Sequence, residues 1–251
     1  MKKVVLLGGG NVAYHLAQRL TENPQYQLVQ LYNRSPLSTA FDAIAVEKTA
    51  QLEALLPADI YILSVKDDAI AALSEQLPFE GRLVVHTSGS VPMQALSARQ
   101  RRGVFYPLQS FSIAQAMDFS KVPFCLETEE VADYALLEGL AKVFSPKCYA
   151  IDSLQRQYLH VAAVFLNNFT NHLWYLSQQL CAREGIPFEL LQPLLEETYL
   201  KGQQLCFFEG QTGPAKRGDR AVIEKHLALL QGIEKEIYRD ISTSILTTYG
   251  K

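Results

Sequence analysis

Val4-Val-Leu-Leu-Gly-Gly-Gly-Asn-Val-Ala13 is the stretch that decides the fold of this chain. Four apolar, β-forming residues lead into the motif Gly8-x-Gly10-x-x-Ala13, and a helical pattern follows without a gap. In such a strand–turn–helix, the first glycine permits the tight turn, the second lets a ligand approach the backbone, and the small third residue lets helix and strand pack closely. The unpaired N–H groups at the helix start, near Asn11 and Val12, favour negative charge. The stretch predicts a turn that holds the pyrophosphate of a dinucleotide; the alternative is a glycine-rich turn in an α/β fold without a nucleotide.

The next strand pattern, residues 27–32, ends at Asn33-Arg34-Ser35-Pro36. A site for NAD usually has Asp or Glu at this point, and its carboxylate would repel a 2′-phosphate. Here an amide is followed by an arginine, whose planar guanidinium pairs well with phosphate. Asn33, Arg34 and Ser35 therefore favour NADP over NAD as the cofactor. The alternative is an ordinary surface turn, since Asn, Ser and Pro all form turns.

The composition is that of a globular protein of one or two domains. Of the 251 residues, 48% are hydrophobic and 20% are charged, and the net charge of −3 indicates no affinity for nucleic acid or for a membrane. The four cysteines are widely spaced, which favours reduced thiols over a disulfide framework or a zinc site. We find no signal-peptide pattern and no apolar run long enough to span a bilayer, so we expect a cytoplasmic protein.

Strand and helix patterns alternate over residues 1–152. The candidate strands are residues 3–7, 27–33, 59–64, 82–86, 103–106, 123–126 and 148–151, and the candidate helices between them are residues 12–21, 49–56, 69–76, 93–98 and 129–143. This alternation predicts a doubly wound, mostly parallel sheet with helices on both faces. We expect an α/β Rossmann domain over residues 1–152 that binds NADP.

Residues 153–251 show only helical patterns, so we expect an all-α dehydrogenase-type domain after the junction at Asp152-Ser153. The predicted helices cover about residues 154–183, 188–206 and 219 or 220–246. The first of them ends at Gly185-Ile-Pro187, a strong stop signal.

Small or polar residues follow several of the predicted strands. Because parallel sheets bind ligands at the carboxyl ends of their strands, we expect these positions to contact the cofactor. The predicted cofactor-binding residues are Gly8, Gly10, Asn11, Val12, Asn33, Arg34, Ser35, Ser64, Val65, Lys66, Thr87 and Ser88. Asp67 or Asp68 can instead cap the helix that follows.

The long helical pattern carries polar residues on one face: His160, Asn167 or Asn168, and Asn171. Their neighbours are apolar, so we expect the helix to be buried and these side chains to need partners. The partners are either a ligand, which we favour for the set, or neighbouring helices. We predict His160 and Asn168 as catalytic residues, with His160 as the proton donor because histidine titrates near neutral pH. Asn167 and Asn171 are predicted to bind the substrate.

The loop between the last two predicted helices is the second candidate for substrate binding. Gln211, Arg217 and Asp219 can bond to a substrate, and the glycines between them let the backbone come close. The alternative is a connector in which Asp219 caps the last helix. The segment Tyr106-Pro-Leu-Gln-Ser-Phe111 places a tyrosine and a glutamine at another strand end, where loop packing and substrate contact are equally consistent with the pattern.

Several of these motifs resemble known oxidoreductases. Gly8-x-Gly10-x-x-Ala13, Asn33-Arg34-Ser35 and Ser64-Val65-Lys66-Asp67 are similar to the N-terminal domain shared by pyrroline-5-carboxylate reductase, the 6-phosphogluconate and β-hydroxyacid dehydrogenases, and the deazaflavin-dependent NADP reductases. The whole chain most resembles a bacterial family of NADP oxidoreductases in which a Rossmann domain precedes a helical domain without an assigned function. The segments that match that pattern are residues 86–90, 106–111, 160–165 and 211–219. The resemblance implies NADP binding and a homodimer through intertwined helical domains.

The chain also departs from the specific relatives. β-Hydroxyacid dehydrogenases carry a catalytic lysine three residues before an Asn pair, whereas here Val164 precedes Asn167-Asn168. Pyrroline-5-carboxylate reductases have Ser-Gly-Ser-Gly-Pro-Ala at the start of the helical domain, whereas here the segment reads Asp152-Ser-Leu-Gln-Arg-Gln157. Neither activity is therefore carried over to this chain.

The sequence predicts an NADP(H)-dependent oxidoreductase that transfers a hydride to or from a small carbonyl or imine substrate. The substrate is expected between the two domains, with no nucleic-acid or membrane partner. The alternative is a non-catalytic NADP-binding redox sensor or regulatory protein, which the missing lysine favours.

Overall fold

The structure, a computed structural model, describes residues 1–204 and 206–250. The chain forms two compact units, Met1–Val164 and Phe165–Lys251. The last strand of the first unit ends at Ala150. The helix Ser153–Ala163 also belongs to that unit. The domain boundary expected after Asp152 stays a prediction.

One eight-stranded sheet forms the first unit, in the order β3-β2-β1-β4-β5-β6-β7-β8. Its strands are β1 Lys2–Leu7, β2 Tyr26–Tyr32, β3 Glu47–Thr49, β4 Ile60–Leu63, β5 Leu83–His86, β6 Arg101–Pro107, β7 Phe124–Thr128 and β8 Cys148–Ala150. Neighbouring strands are parallel except for the antiparallel pair β6 and β7. Strand order reverses where β1 meets β4, which is the topological switch point at which such sheets bind ligands. The predicted Rossmann-like α/β fold with a helical C-terminal region is confirmed.

Both faces of this sheet are covered, which explains the continuous apolar runs of its central strands. Val4 and Leu6 belong to one buried cluster and Val5 and Leu7 to another, because successive side chains of a strand point to opposite faces. The helices of this unit are α1 Asn11–Thr21, α2 Asp67–Glu75, α3 Val131–Lys142 and α4 Ser153–Ala163.

Two helices predicted in this unit are wrong. Residues 49–56 contain the end of β3 and a short 3₁₀ turn, Leu52–Ala54. The buried Gln30 side chain donates to the Ala54 carbonyl and accepts from the Leu56 N–H, both at 2.9 Å, and so takes the backbone groups that a helix would use. The predicted helix over residues 93–98 is likewise only a 3₁₀ turn, Met93–Ala95.

The second unit is helical. A π-helical segment, Val164–Phe169, leads into α5 Thr170–Arg183; a 3₁₀ turn, Phe188–Leu191, precedes α6 Gln192–Gln204; and α7 Phe207–Gly210, α8 Pro214–Arg217, α9 Arg220–Leu229 and α10 Gly232–Thr248 follow. The prediction of one uninterrupted last helix is wrong. It breaks between α9 and α10, where Leu230 and Gln231 are extended and Gly232 has a φ of +52°.

Among the described residues of the second unit, burial is confined to helices α8, α9 and α10. Ala215, Ile223 and Leu227 form a small core to which α10 contributes Tyr238. By contrast, α5, α6 and α7 bury none of their described residues. The expectation that the long helix is buried is therefore wrong, since Phe165 is 64% exposed and Leu166 74% exposed. Among residues 1–204 and 206–250, no helix combines the length and the hydropathy that crossing a bilayer requires.

Candidate functional site

A cavity of about 1090 Å³ lies in the first unit at the carboxyl ends of the central strands. Every residue predicted to contact the cofactor lines it, except Gly8, whose neighbour Gly9 does. The cavity also extends along α2, past Ala72 to Gln76, and reaches Tyr106 and His160 at its other limits. Small-molecule sites usually enclose roughly 300–1,000 Å³, so this volume suits an extended ligand.

The glycine turn has the two properties expected of a pyrophosphate site. Gly8 has a φ of +134°, and a Cβ built there would lie 2.0 Å from the Ser64 carbonyl oxygen, so β1 and β4 approach closely. A Cβ on Gly10 would meet nothing within 4 Å, so a ligand can reach the backbone at this point. Gly10 is the N-cap residue of α1 and has no side chain that could cap the helix. The N–H groups of the first turn are therefore left for an anion.

The turn after β2 presents an exposed arginine to the same cavity. Asn33 donates a hydrogen bond from Nδ2 to the Ser35 carbonyl at 2.7 Å, and this bond closes the turn around Arg34. Arg34 is exposed and lines the cavity, and no carboxylate pairs with it among the residues that the structure describes. The turn therefore presents to the cavity a guanidinium group that can pair with an anionic group of a ligand.

The start of α2 differs from the capping role considered for it. Lys66 is the N-cap residue, and Asp67 and Asp68 lie in the first helical turn without capping it. The Asp67 carboxylate instead accepts a hydrogen bond from the Ser90 hydroxyl at 2.5 Å. This bond joins the ends of β4 and β5 across the cavity.

His86, at the end of β5, is fully buried and holds the loop that follows it. Its Nδ1 accepts a hydrogen bond from the Ser88 N–H at 3.2 Å. Burial, with a smaller contribution from the positive charge of Arg156, lowers the pKa of His86 to about 4. His86 is therefore neutral near pH 7 and supports the loop rather than supplying a proton.

Tyr106 and His160 meet at the edge of the cavity. The Tyr106 hydroxyl lies 3.2 Å from His160 Nδ1, and both side chains line the cavity wall. The lack of a side chain at Gly89 makes room for this pair, because a Cβ there would lie 2.6 Å from His160 Nδ1 and 2.9 Å from the Tyr106 hydroxyl oxygen. From its sequence position, Tyr106 fitted loop packing and substrate contact equally well; in the structure it lies beside the predicted proton donor.

A buried ion pair attaches α4 to this loop. Arg156 is fully buried, and it donates to the Glu127 carboxylate at 2.5 Å and to the Val91 carbonyl at 2.6 Å. One residue further, Gln157 donates to the Ser90 carbonyl at 3.1 Å. These contacts hold the helical turn that carries His160. Arg156 and Glu127 were not predicted from the sequence, since a pair 29 residues apart on a strand and a helix has no periodic signal.

The remaining predicted residues belong to the second unit. Asn167, Asn168 and Asn171 are exposed there. Asp219 accepts a hydrogen bond from the Val222 N–H at 3.2 Å and caps α9, the connector role considered as the alternative. Gln211 donates to the neighbouring Thr212 carbonyl at 2.9 Å. Arg217, Asn167 and Asn171 stay predicted substrate contacts, and Asn168 stays a predicted catalytic residue.

The glycine turn, the uncapped helix start and the cavity at the switch point define a dinucleotide-binding protein of the Rossmann class. Two family models match the chain. "NADP oxidoreductase coenzyme F420-dependent" matches residues 3–89, and "Domain of unknown function (DUF2520)" matches residues 122–245. The chain belongs to the family of NADP oxidoreductases in which these two domains follow one another.

Solved structures show the same architecture over the whole chain. A Bacteroides fragilis protein provisionally described as an NADP oxidoreductase is 37% identical, with a TM-score of 0.87 and 98% of each chain covered. A reductive aminase from Aspergillus terreus, in complex with NADPH and ethyl levulinate, is 14% identical, with a TM-score of 0.73 over 98% of this chain and 92% of the other. Pyrroline-5-carboxylate reductase from Coxiella burnetii is 17% identical, with a TM-score of 0.57 over 99% and 96%. The latter two show a shared fold alone. No protein of curated function matches the chain.

Proposed function

We propose that this protein is an NADP(H)-dependent oxidoreductase that transfers a hydride to or from a small carbonyl or imine substrate. The observation that supports the proposal is one cavity, which brings the glycine turn and Arg34 together with Tyr106 and His160. When bound, the dinucleotide supplies the hydride, while the chain holds its phosphates and moves a proton through His160. The relative from Aspergillus terreus, which carries NADPH and a ketone ester in its crystal structure, is consistent with this chemistry.

The test of cofactor choice is Arg34→Ala. We expect this variant to bind NADPH about 10- to 100-fold more weakly, because it loses a charge-assisted contact with the 2′-phosphate worth about 1.5–3 kcal/mol. NADH lacks that phosphate, so its affinity should stay within about twofold. Nicotinamide fluorescence titration measures both dissociation constants. Arg239→Ala removes an exposed arginine of the second unit and is the matched control. Equal losses for both nucleotides would contradict a 2′-phosphate contact at Arg34.

The second candidate function is a non-catalytic NADP-binding sensor or regulatory protein. Val164 occupies the position of the dehydrogenase lysine, and this substitution favours a non-catalytic protein. NADPH oxidation in the presence of a panel of aldehydes, ketones and imines distinguishes the two functions. A protein that binds NADPH and oxidises it with no member of the panel would fit the sensor.

We also propose that the protein is a homodimer through its helical unit. Helices α5, α6 and α7 bury none of their described residues. Large apolar side chains are nevertheless exposed in this region, among them Phe165 in the π-helical segment, Leu194 on α6 and Phe207 on α7. Helices of this length are unstable in water without a packed apolar face. A second copy of the chain is the partner that is always present, and obligate homodimers have apolar interfaces of this kind.

The dimer has a direct test in Phe165→Glu combined with Leu166→Glu. We expect light scattering after gel filtration to give the mass of a dimer for the wild type and that of a monomer or an unfolded chain for the double variant, since two buried charges oppose association. Val131 is 89% exposed in the first unit, so Val131→Glu should leave the mass unchanged. A monomeric wild type at micromolar concentration would refute the proposal.

A further inference from the structure

We propose that Tyr106 is a catalytic residue that gives its hydroxyl proton to the oxygen of a carbonyl substrate, and that His160 restores the proton to it. The inference rests on the proposed oxidoreductase function and names both the proton donor and the substrate class. His160 then contacts Tyr106 and does not contact the substrate.

The first observation is the place of the Tyr106 hydroxyl. Tyr106 is the next-to-last residue of β6, at the sheet edge where the cavity lies, and its side chain lines that cavity although the residue is only 9% exposed. The hydroxyl lies 3.2 Å from His160 Nδ1 and against the backbone of Gly89. A buried hydroxyl with one imidazole neighbour and an open cavity in front of it is positioned to donate to a ligand.

The second observation is the protonation of the groups around it. Burial raises the pKa of Tyr106 to about 12, so the phenol keeps its proton at neutral pH and acts as a donor. His86 cannot take this role, since burial lowers its pKa to about 4 and leaves it neutral. His160 is less buried than Tyr106 and can exchange protons with water. When Nδ1 of His160 carries hydrogen, it donates to the phenol oxygen, and the phenol hydrogen is free for the substrate.

The neutral donor at Tyr106 favours a carbonyl over an imine. Asp67 and Asp68 also line the cavity. The Asp67 carboxylate accepts a hydrogen bond from Ser90, and its negative charge contributes to the raised pKa of Tyr106, which keeps the phenol protonated. An imine is reduced as its protonated cation, which already carries its proton, whereas a carbonyl oxygen becomes negative during reduction and needs a neutral hydrogen-bond donor such as the Tyr106 hydroxyl.

The carbonyl carbon accepts a hydride, with its two electrons, from the reduced nicotinamide, which is thereby oxidised. The carbon–oxygen π bond breaks, and its electron pair moves to the oxygen, which takes the proton of the Tyr106 hydroxyl. The Nδ1 proton of His160 then passes to the phenolate as Nε2 takes a proton from water, so the imidazole stays neutral throughout and only its tautomer changes. One hydride and one proton are consumed for each alcohol formed.

The experiment compares Tyr106→Phe with the wild type in NADPH-dependent reduction of 4-nitrobenzaldehyde, hexanal and 2-methyl-1-pyrroline. We expect kcat for the aldehydes to fall about 10²- to 10⁴-fold, the range for loss of a general acid, with NADPH affinity unchanged within about twofold. Tyr26→Phe is the matched control, because Tyr26 is 8% exposed, bonds at 3.1 Å to the Leu136 carbonyl and does not line the cavity. Gly89→Ala is the second variant, since its methyl group would separate Tyr106 from His160.

A second readout does not depend on turnover. In protein labelled with [ζ-¹³C]tyrosine and saturated with NADP⁺, the Tyr106 resonance is identified by its loss in Tyr106→Phe. We expect 4-nitrobenzyl alcohol to shift this resonance and to leave that of Tyr26 in place, because only a residue that touches the substrate responds directly. His160→Gln should also move it.

The outcomes separate the inference from the proposed function. Suppose that the wild type reduces the aldehydes. If Tyr106→Phe then retains more than about a third of the wild-type kcat, or if the Tyr106 resonance does not move, the role of Tyr106 alone is overturned. Reduction of 2-methyl-1-pyrroline without reduction of either aldehyde overturns the carbonyl class. NADPH binding without reduction of any compound overturns the proposed function itself and this inference with it.

Discussion

Glu127→Ala is expected to lower the free energy of unfolding by about 3–5 kcal/mol, the cost of leaving a buried charge without its partner. Arg156 is fully buried, and its guanidinium is neutralised by the Glu127 carboxylate at 2.5 Å. The carboxylate also accepts the hydroxyl hydrogen bond of Ser153, at 2.8 Å to one of its oxygens, so one substitution leaves two donors unsatisfied. A loss of this size is a large share of the roughly 5–15 kcal/mol that stabilises a folded domain.

Urea unfolding measures this loss, and the chain provides a close control. Glu129 lies two residues beyond Glu127 and pairs with Arg102, but its side chain is 37% exposed. An exposed ion pair contributes only about 0–1 kcal/mol, so Glu129→Ala should unfold near the wild-type midpoint. Replacing both partners, as Glu127→Leu with Arg156→Met, should recover most of the stability because no unpaired charge remains. Equal effects of Glu127→Ala and Glu129→Ala would show that burial does not govern this pair.

Gly8→Ala is the second substitution with a large expected effect, a loss of about 2–6 kcal/mol in the free energy of unfolding. The φ of +134° at Gly8 costs an alanine roughly 1–3 kcal/mol. The new methyl group would also lie 2.0 Å from the Ser64 carbonyl oxygen, a backbone atom of β4. Overpacking of this kind costs about another 1–3 kcal/mol, because the strands must move apart. For a chain of this size we expect a fall in the melting temperature of about 10 °C.

Gly10→Ala provides the contrast within the same motif. Its Cβ would meet no protein atom within 4 Å, and its φ is −87°. We therefore expect the melting temperature to stay within about 2 °C of the wild type, while NADPH affinity falls at least about tenfold because the methyl group enters the ligand's space. Differential scanning fluorimetry with and without NADPH measures both effects. A Gly10→Ala variant that is as unstable as Gly8→Ala would mean that Gly10 serves the fold and not the ligand.

Local patterns predicted the elements whose side chains interact with residues close in sequence. The strand at Lys2–Leu7, the glycine turn and α1 were all found, because their apolar periodicity and turn residues lie within about twenty residues. The capped start of α9 at Asp219 was considered for the same reason. The short strand Glu47–Thr49 was missed, since its three polar residues form a strand only by pairing with β2.

The wrong predictions share one cause: the group that contacts the segment is not near it in the sequence. Residues 49–56 have an apolar spacing that suits a helix, but the side chain of Gln30, from another strand, satisfies their backbone groups instead. The exposed apolar residues near α5 read as a buried helix, because an apolar pattern does not tell whether its partner lies in the same chain or in another.

By itself, the sequence determined the class of the fold, the position of the dinucleotide turn and the choice of an arginine after β2, because each depends on residues that are neighbours along the chain. The tertiary structure decided which side chains share the cavity. Tyr106 and His160 are 54 residues apart, and Arg156 meets Glu127 across 29 residues, so both contacts exist only after β6, β7 and α4 have packed. Their energies depend on burial and distance, which the folded chain alone supplies.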